Sequence, residues 1–235
     1  GSHLVTAAAT DDTGITSFSD AVAVSVATPE NVVILQEGLG GYSGTTDTSL
    51  ENHTGAQPHG DRQWLRSQNN SFNSLLRFAI FSGEGGPVPE GATITFAGLA
   101  LYKSSRYDQA YRAHPLLVDW DESEATWLEA AGGRFWSEPG AAGIGTDYAA
   151  VGSVEVSAGW NPDWVVLDVT DSVQSMSQEN QNNKGWQLIA GTGNPNQKSF
   201  RASEFSADPS LRPKLVLQFD ENTNVRPSVV LTAPS

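Results

Sequence analysis

The stretch "ATITFAGLALYK" (92–103) decides the fold class of this chain. Its apolar residues are interleaved with β-branched Thr and Ile, a pattern typical of a strand with at least one buried face. Seven further runs share this character and are separated by turn-forming Gly, Pro and Asn residues: "AVAVSVA" (21–27), "NVVILQ" (31–36), "SLLRFAIF" (74–81), "RAHPLLV" (112–118), "DWVVLDVT" (163–170), "GWQLIAG" (185–191) and "PKLVLQF" (213–219). Many short strands of this kind predict an all-β fold, a jelly-roll β-sandwich.

One short helix is predicted among the strands. Thr170 is a suitable N-cap, and "DSVQSMSQEN" (171–180) places Val173 and Met176 three residues apart, with Asp171 in the first turn. We expect a helix of two or three turns.

Composition excludes several classes of function. The 235 residues carry a formal charge of −14 and include no Cys. Nucleic acids and anionic membranes both require a positive surface, so neither is an expected partner. Without Cys there are no disulfides and no thiolate metal sites. No apolar run is long enough to span a membrane. We expect a monomer without an organic cofactor.

The two ends differ from the middle. "GSHL" (1–4) is typical of an expression-tag remnant. "TDDTGITSFSDAVAVSVATPE" (10–30) resembles the last hairpin of a bacterial immunoglobulin-like domain, and "ENTNVRPSVVLTAPS" (221–235) resembles the first strand of another. We therefore predict a tag and the end of a preceding module at 1–29, the main domain at 30–220, and a linker with the start of a following module at 221–235.

The main domain resembles the DNRLRE-type domain, which also underlies the family 96 carbohydrate-binding modules. The resemblance covers roughly 190 residues and lies in motifs that follow the same order as in the family. They are "VVILQEGLGGYSGTTDTSL" (32–50), the run "SLLRFAIF" (74–81), "ITFAGLALY" (94–102), "LVDWDESEATWLEA" (117–130), "WVVLDVTDSVQSM" (164–176), "NNKGWQLIA" (182–190) and "LRPKLVLQF" (211–219). It implies a jelly roll in a secreted bacterial protein, beside polysaccharide-degrading enzymes, with an alginate-like polymer as ligand.

Candidate binding residues begin with Arg62, Trp64 and Arg66. On a strand, these alternate side chains share one face about 7 Å apart, where an indole and two guanidinium groups could bind a sugar polymer. The alternative is that Trp64 belongs to the core and the arginines form salt bridges at its rim. Arg77 lies opposite the core side of its strand, so it must be paired or line a groove.

Other candidates could extend these residues into one cationic stripe, if the fold brings their strands onto one sheet. They are Lys103, Arg112, His114, Lys198 and Arg201. Trp136, in a Gly-rich loop, is a candidate for stacking on a sugar ring.

The "DWDESE" segment (119–124) suggests a structural calcium ion, because hard carboxylate oxygens are its preferred ligands. The candidate ligands are Asp119, Asp121 and Glu122, with Asp47 as a further one. The alternative is a solvated acidic loop, since the segment lacks the Gly turn and final Glu of an EF-hand.

Catalytic motifs with a Ser nucleophile or a zinc-binding His pair are absent from the sequence. We therefore predict a non-catalytic carbohydrate-binding module of a secreted, marine bacterial protein, with an alginate-like uronan as first choice and a neutral or sulfated galactan or glucan as second. The alternatives are a structural spacer of a surface adhesin and, third, a polysaccharide lyase using His53, His59, Tyr42 and Arg62.

Overall fold

The computed structural model describes most of the chain from residue 31 onward and four short segments before it. The described residues are 2–5, 8–10, 16–18, 22–25, 31–53, 57–68, 71–106, 108–178, 183–190 and 198–220. The chain divides into two compact units, Gly1–Val32 and Val33–Ser235. Residues 221–235, predicted to begin a following module, lie outside the described part.

The first unit contains two pairs of antiparallel strands. Strands β1 (Ser2–Val5) and β4 (Val22–Ser25) form one pair, and β2 (Ala8–Thr10) and β3 (Thr16–Phe18) form the other.

The remaining elements form the main domain. They are β5 (Val32–Leu35), β6 (Thr45–Glu51), β7 (Trp64–Ser67), β8 (Phe72–Phe78), β9 (Thr93–Lys103), β10 (Ala110–Pro115), β11 (Glu129–Ala131), β12 (Arg134–Phe135), β13 (Val156–Ser157), β14 (Asp163–Asp168), helix α1 (Thr170–Gln178), β15 (Trp186–Ala190), β16 (Lys198–Arg201) and β17 (Lys214–Asp220). Three short 3-10 turns occupy Leu39–Gly41, Ser82–Glu84 and Pro209–Leu211. No described helix has the length and apolar character needed to cross a bilayer.

Two antiparallel sheets make the domain a β-sandwich. The five-stranded sheet has the order β13-β10-β15-β8-β6, and the six-stranded sheet has the order β5-β17-β9-β16-β7, with β14 also paired to β9. Their inner faces supply one core, which includes Phe78, Leu99, Leu101, Trp186 and Leu217, all fully buried. The predicted all-β sandwich with one short helix is confirmed.

Each of the eight apolar runs overlaps a strand, and the helix begins at the predicted Thr170. Strand β6 was not among those runs, because its sequence "TTDTSLE" is mostly polar. It is an edge strand of the five-stranded sheet. Two backbone N–H groups of this edge donate to acidic side chains, that of Thr45 to Glu37 and that of Asp47 to Glu122.

A second core lies on the outer face of the five-stranded sheet. Leu50 and Leu75 project there and pack with Trp120, Trp136 and Tyr148, which come from the long connection between β10 and β13. Consecutive residues of β8 thus belong to different cores, as strand alternation requires. This connection covers much of a sheet face that would otherwise be open to ligands.

Candidate ligand-binding surface

The carboxylate of Glu51 is the centre of a group of basic side chains at the end of β6. The Glu51 side chain is fully buried, and its Oε1 contacts Nη1 of Arg62 and, at 3.3 Å, Nη1 of Arg66. Its Oε2 lies 3.4 Å from Nε2 of His53 and 3.6 Å from Nε2 of His59. A buried carboxylate requires such partners, because an unpaired charge is unfavourable away from water. We call these five residues the Glu51 cluster.

The two arginines of this cluster also reach the surface beside an exposed indole. Arg62 keeps 25% and Arg66 keeps 23% of the side chain exposed. Trp64 is 39% exposed. The guanidinium carbon of Arg66 lies 6.0 Å from the ring centroid of Trp64 and 5.6 Å from that of Phe72. Cation–π contact and the ion pair to Glu51 together hold this guanidinium in place.

Arg201 lies next to these residues on the adjacent strand. The backbone of Arg201 pairs with that of Trp64 in the β16–β7 ladder, and paired residues of antiparallel strands project from the same face. The Arg201 guanidinium lies over the ring of Phe205, 4.0 Å from its centroid. We call Arg62, Trp64, Arg66 and Arg201 the arginine platform. Lys198 belongs to the same strand, but its side chain lies outside the described part of the chain.

The arginine platform carries a local excess of positive charge. Two of its three guanidinium groups, those of Arg62 and Arg66, share the single carboxylate of Glu51, and that of Arg201 has no ion pair among the described residues. Burial, and then the positive charge of Arg62, lower the pKa of His59, so its imidazole is neutral at neutral pH. The arginines therefore supply the excess charge, in a chain whose formal total is −14.

Arg77 lies apart from the platform, on the outer face of the five-stranded sheet as the alternation predicts. Its guanidinium carbon is 5.6 Å from the ring centroid of Trp120. The side chain lines a cleft of about 350 Å³ together with Thr46, Glu84 and Asn183. We call this the Arg77 cleft.

The structure does not place Lys103 and Arg112 on a common cationic stripe with the platform. Lys103 is fully buried, and its ammonium group donates to the carbonyl oxygen of Gly159. Burial also lowers its pKa. Arg112 is exposed but forms an ion pair with Glu155, with Nε 3.2 Å from Oε2. The predicted stripe therefore does not extend to either residue.

His114 and Trp136 are corrections to the predicted set, because both are buried. His114 is 8% exposed, and its Nδ1 lies 3.0 Å from the carbonyl oxygen of Ala149. Trp136 is 5% exposed, and its Nε1 donates to the carbonyl oxygen of Thr126 at 2.9 Å. The connection after β10 folds over the sheet and encloses these rings, which removes them from any polymer at the surface.

The four residues predicted as calcium ligands do not come together as a set. Asp47 and Glu122 meet, since the N–H of Asp47 donates to Oε1 of Glu122 at 2.6 Å. Asp121 instead accepts from the backbone N–H and hydroxyl of Ser123, and Asp119 is exposed. Within the described residues, no group of three or more Asp, Glu, His or Cys is arranged to hold a metal ion. Calcium binding thus remains a prediction.

Asp47 and Glu122 form a carboxyl trio with Glu204. Asp47 is 1% exposed, and Ser203 links it to Glu204 by donating its N–H to Asp47 and its hydroxyl to Glu204, each at 2.7 Å. Burial and the neighbouring carboxylates raise the pKa of Asp47 well above its usual range. Burial also raises the pKa of Glu122 to about 7 and increases that of Glu204. The trio therefore retains protons near neutral pH.

The sequence reasoning missed Glu51 and named His53 and His59 only as residues of a possible lyase. Only His53 is largely exposed; His59 is 5% exposed. The available signal was the alternation of Asp47, Ser49 and Glu51 along "TTDTSLE", which places three polar residues on one face of a strand. The segment 62–81 that follows is rich in Arg and contains no Asp or Glu, so a carboxylate partner for its arginines had to come from elsewhere in the chain, and this strand is one of several possible sources.

No protein-family model matches this chain, and no curated protein is similar to it in sequence.

Proposed function

We propose that this chain is a non-catalytic carbohydrate-binding module of a secreted, multi-domain bacterial protein. Its ligand would be an algal polysaccharide, with an alginate-like uronan as first choice and a neutral or sulfated galactan or glucan as second. The module would hold a neighbouring enzyme close to its substrate. The observation that carries the proposal is the juxtaposition of Arg62, Trp64, Arg66 and Arg201 on one sheet edge.

The Glu51 cluster supports this proposal because it holds the guanidinium donors of Arg62 and Arg66 in place before a ligand binds. Arg62 and Arg66 share a single buried carboxylate oxygen, so most of their ten N–H groups are left for other acceptors. Guanidinium groups bind carboxylates and sulfates through paired hydrogen bonds. Because the side chains are already ordered, less conformational entropy is lost when a ligand binds.

Trp64 gives the platform its means of binding a sugar ring. An exposed indole can cover the apolar C–H side of a pyranose, while Arg62 and Arg66 on either side donate hydrogen bonds to its charged or polar substituents. The net charge of −14 repels a polyanion at a distance, but salt screens that repulsion over about 8 Å at physiological ionic strength. Binding then depends on the local excess of arginine.

The first test is the substitution Trp64→Ala. We expect the polysaccharide concentration that gives half-maximal retardation in affinity electrophoresis to rise about tenfold or more, as for truncation of a Trp at the centre of an interface. The gels would contain alginate, agarose, xylan or laminarin, with calcium present. Thermal unfolding should change little, because Trp64 is 39% exposed.

Phe135→Ala is the matched control, since Phe135 is an exposed aromatic residue (66%) on β12, outside the platform. It should leave retardation unchanged. If Trp64→Ala migrates like the unaltered protein in a gel that retards both, the platform is not the binding site. If no polysaccharide retards the unaltered protein, the result favours the alternative that the chain is a structural spacer of a surface adhesin.

A further inference from the structure

The guanidinium group of Arg77 has no acceptor in the described part of the chain. It is half-buried, and its guanidinium carbon lies 5.6 Å from the ring centroid of Trp120. The hydroxyl oxygen of Thr46, which pairs with Arg77 across the β6–β8 ladder, is buried without a hydrogen-bond partner. The unpaired hydroxyl is unfavourable because it is buried, whereas the half-buried guanidinium is accessible from the cleft. An unused guanidinium that lines a cleft indicates a place suited to a ligand.

The acceptors around the Arg77 cleft restrict what that ligand can be. Glu84 lines the same cleft, and its Oε2 accepts from the backbone of Ile80 and from the side chain of Asn183. Arg77 also acts electrostatically on Asp121 and Glu122, which its positive charge stabilises in their ionised forms. Three carboxylates near one guanidinium leave no excess positive charge for a multiply charged anion.

A polyol can pair with both the hydrogen-bond donor Arg77 and the acceptor Glu84 of the cleft. Sugar hydroxyls accept hydrogen bonds from Arg77 and can donate to the Glu84 carboxylate. The volume of about 350 Å³ is within the range of sites for small ligands. We infer that the Arg77 cleft is a second binding site, which takes a single neutral sugar residue through its hydroxyl groups.

This site is separate from the arginine platform. Thr46 and Glu51 lie five residues apart on β6, about 17 Å, and an odd separation places them on opposite faces of the sheet. The inference therefore does not depend on the function proposed for the platform, and experiments could exclude ligand binding at one site without excluding it at the other.

The test is a titration of the whole chain, labelled with ¹⁵N, with methyl galactoside and methyl glucoside. We expect saturable chemical-shift changes at the amides of Thr46, Arg77 and Asn183 for at least one glycoside, with a Kd in the millimolar range. Arg77→Gln should raise that Kd at least tenfold. Arg77→Lys keeps the charge but loses the planar pair of donors, so it should also weaken binding.

Two controls make the outcome decisive. Arg112→Gln removes an exposed arginine elsewhere on the sheet and should leave the Kd unchanged. The dispersion of the amide spectrum reports whether each variant is folded. Shifts that persist in a folded Arg77→Gln protein, equal shifts with inorganic sulfate, or no saturable shifts with either glycoside would overturn the inference.

Discussion

Glu51→Gln is expected to lower the free energy of unfolding by about 3 kcal/mol. The side chain is fully buried and its Oε1 contacts both Arg62 and Arg66. The amide keeps an acceptor oxygen but loses the negative charge, so two guanidinium groups remain close together without compensation. About three quarters of each arginine side chain is shielded from water, which limits the hydration that could replace the ion pairs.

Urea unfolding at pH 7 would measure this loss. Glu155→Gln is the matched control, because the pair of Arg112 and Glu155 has similar geometry but is about half exposed on both sides. Breaking such a surface pair should change the free energy of unfolding by less than about 1 kcal/mol. If the two substitutions lowered the free energy of unfolding equally, the buried ion pairs of Glu51 would contribute no more to stability than an exposed pair, which would contradict the prediction.

The Glu51 cluster also shows where sequence reasoning about the site reached its limit. The alternation of Arg62, Trp64 and Arg66 predicted a shared face, and the structure brings these residues together with Arg201. The partner carboxylate could not be assigned from the sequence, because 27 acidic residues compete for that role. Only strand pairing identifies which of them is buried beside the arginines.

Lys103 could have been placed correctly from the sequence alone. In "LALYK" (99–103), period-two alternation puts Lys103 on the same face as Leu99 and Leu101, and both leucines are fully buried. The charge suggested a surface position, but the alternation was the stronger signal. The cost of burying this charge is reduced because the ammonium group donates a hydrogen bond to the carbonyl oxygen of Gly159.

The fold was predictable to the extent that apolar alternation marks strands buried on one face or both. Strand β9 has that pattern, and it pairs with β14 on one side and β17 on the other. The connection after β10 has no such periodicity, so its packing over Leu50 and Leu75 could not be foreseen. The burial of His114 and Trp136 follows from that packing, which is why those two predictions failed.

The carboxyl trio leads to the second large effect, which depends on pH. Glu122→Gln is expected to stabilise the protein at pH 8 by about 1–2 kcal/mol and at pH 5 by less than about 0.5 kcal/mol. Burial and the charge of Glu204 raise the pKa of Glu122 to about 7, whereas in the unfolded chain it is about 4.3. If this whole difference in pKa counted, it would correspond to about 3.7 kcal/mol, but solvent screening of the half-buried side chain reduces the effect.

The sign follows from counting protons. Between pH 4.3 and 7, the folded protein holds a proton at Glu122 that the unfolded chain has released, so stability falls as the pH rises through this window. Above pH 7 the folded carboxyl is also ionised, and its repulsion with Asp47 and Glu204 is fully developed. Gln retains the acceptor for the Asp47 N–H without the charge.

Urea unfolding of the unaltered protein and of Glu122→Gln at pH 5 and pH 8 measures the difference between their free energies of unfolding. The pH dependence due to His59 has the opposite sign, but it is the same in both proteins and therefore cancels in this difference. Asp121→Asn is the control, because hydrogen bonds from Ser123 lower the pKa of Asp121. The folded state then favours the charged form, so this neighbouring substitution should give no stabilisation at pH 8. A Glu122→Gln protein that is less stable than the unaltered protein at pH 8 would contradict the account, because it would mean that the fold needs a negative charge at this position.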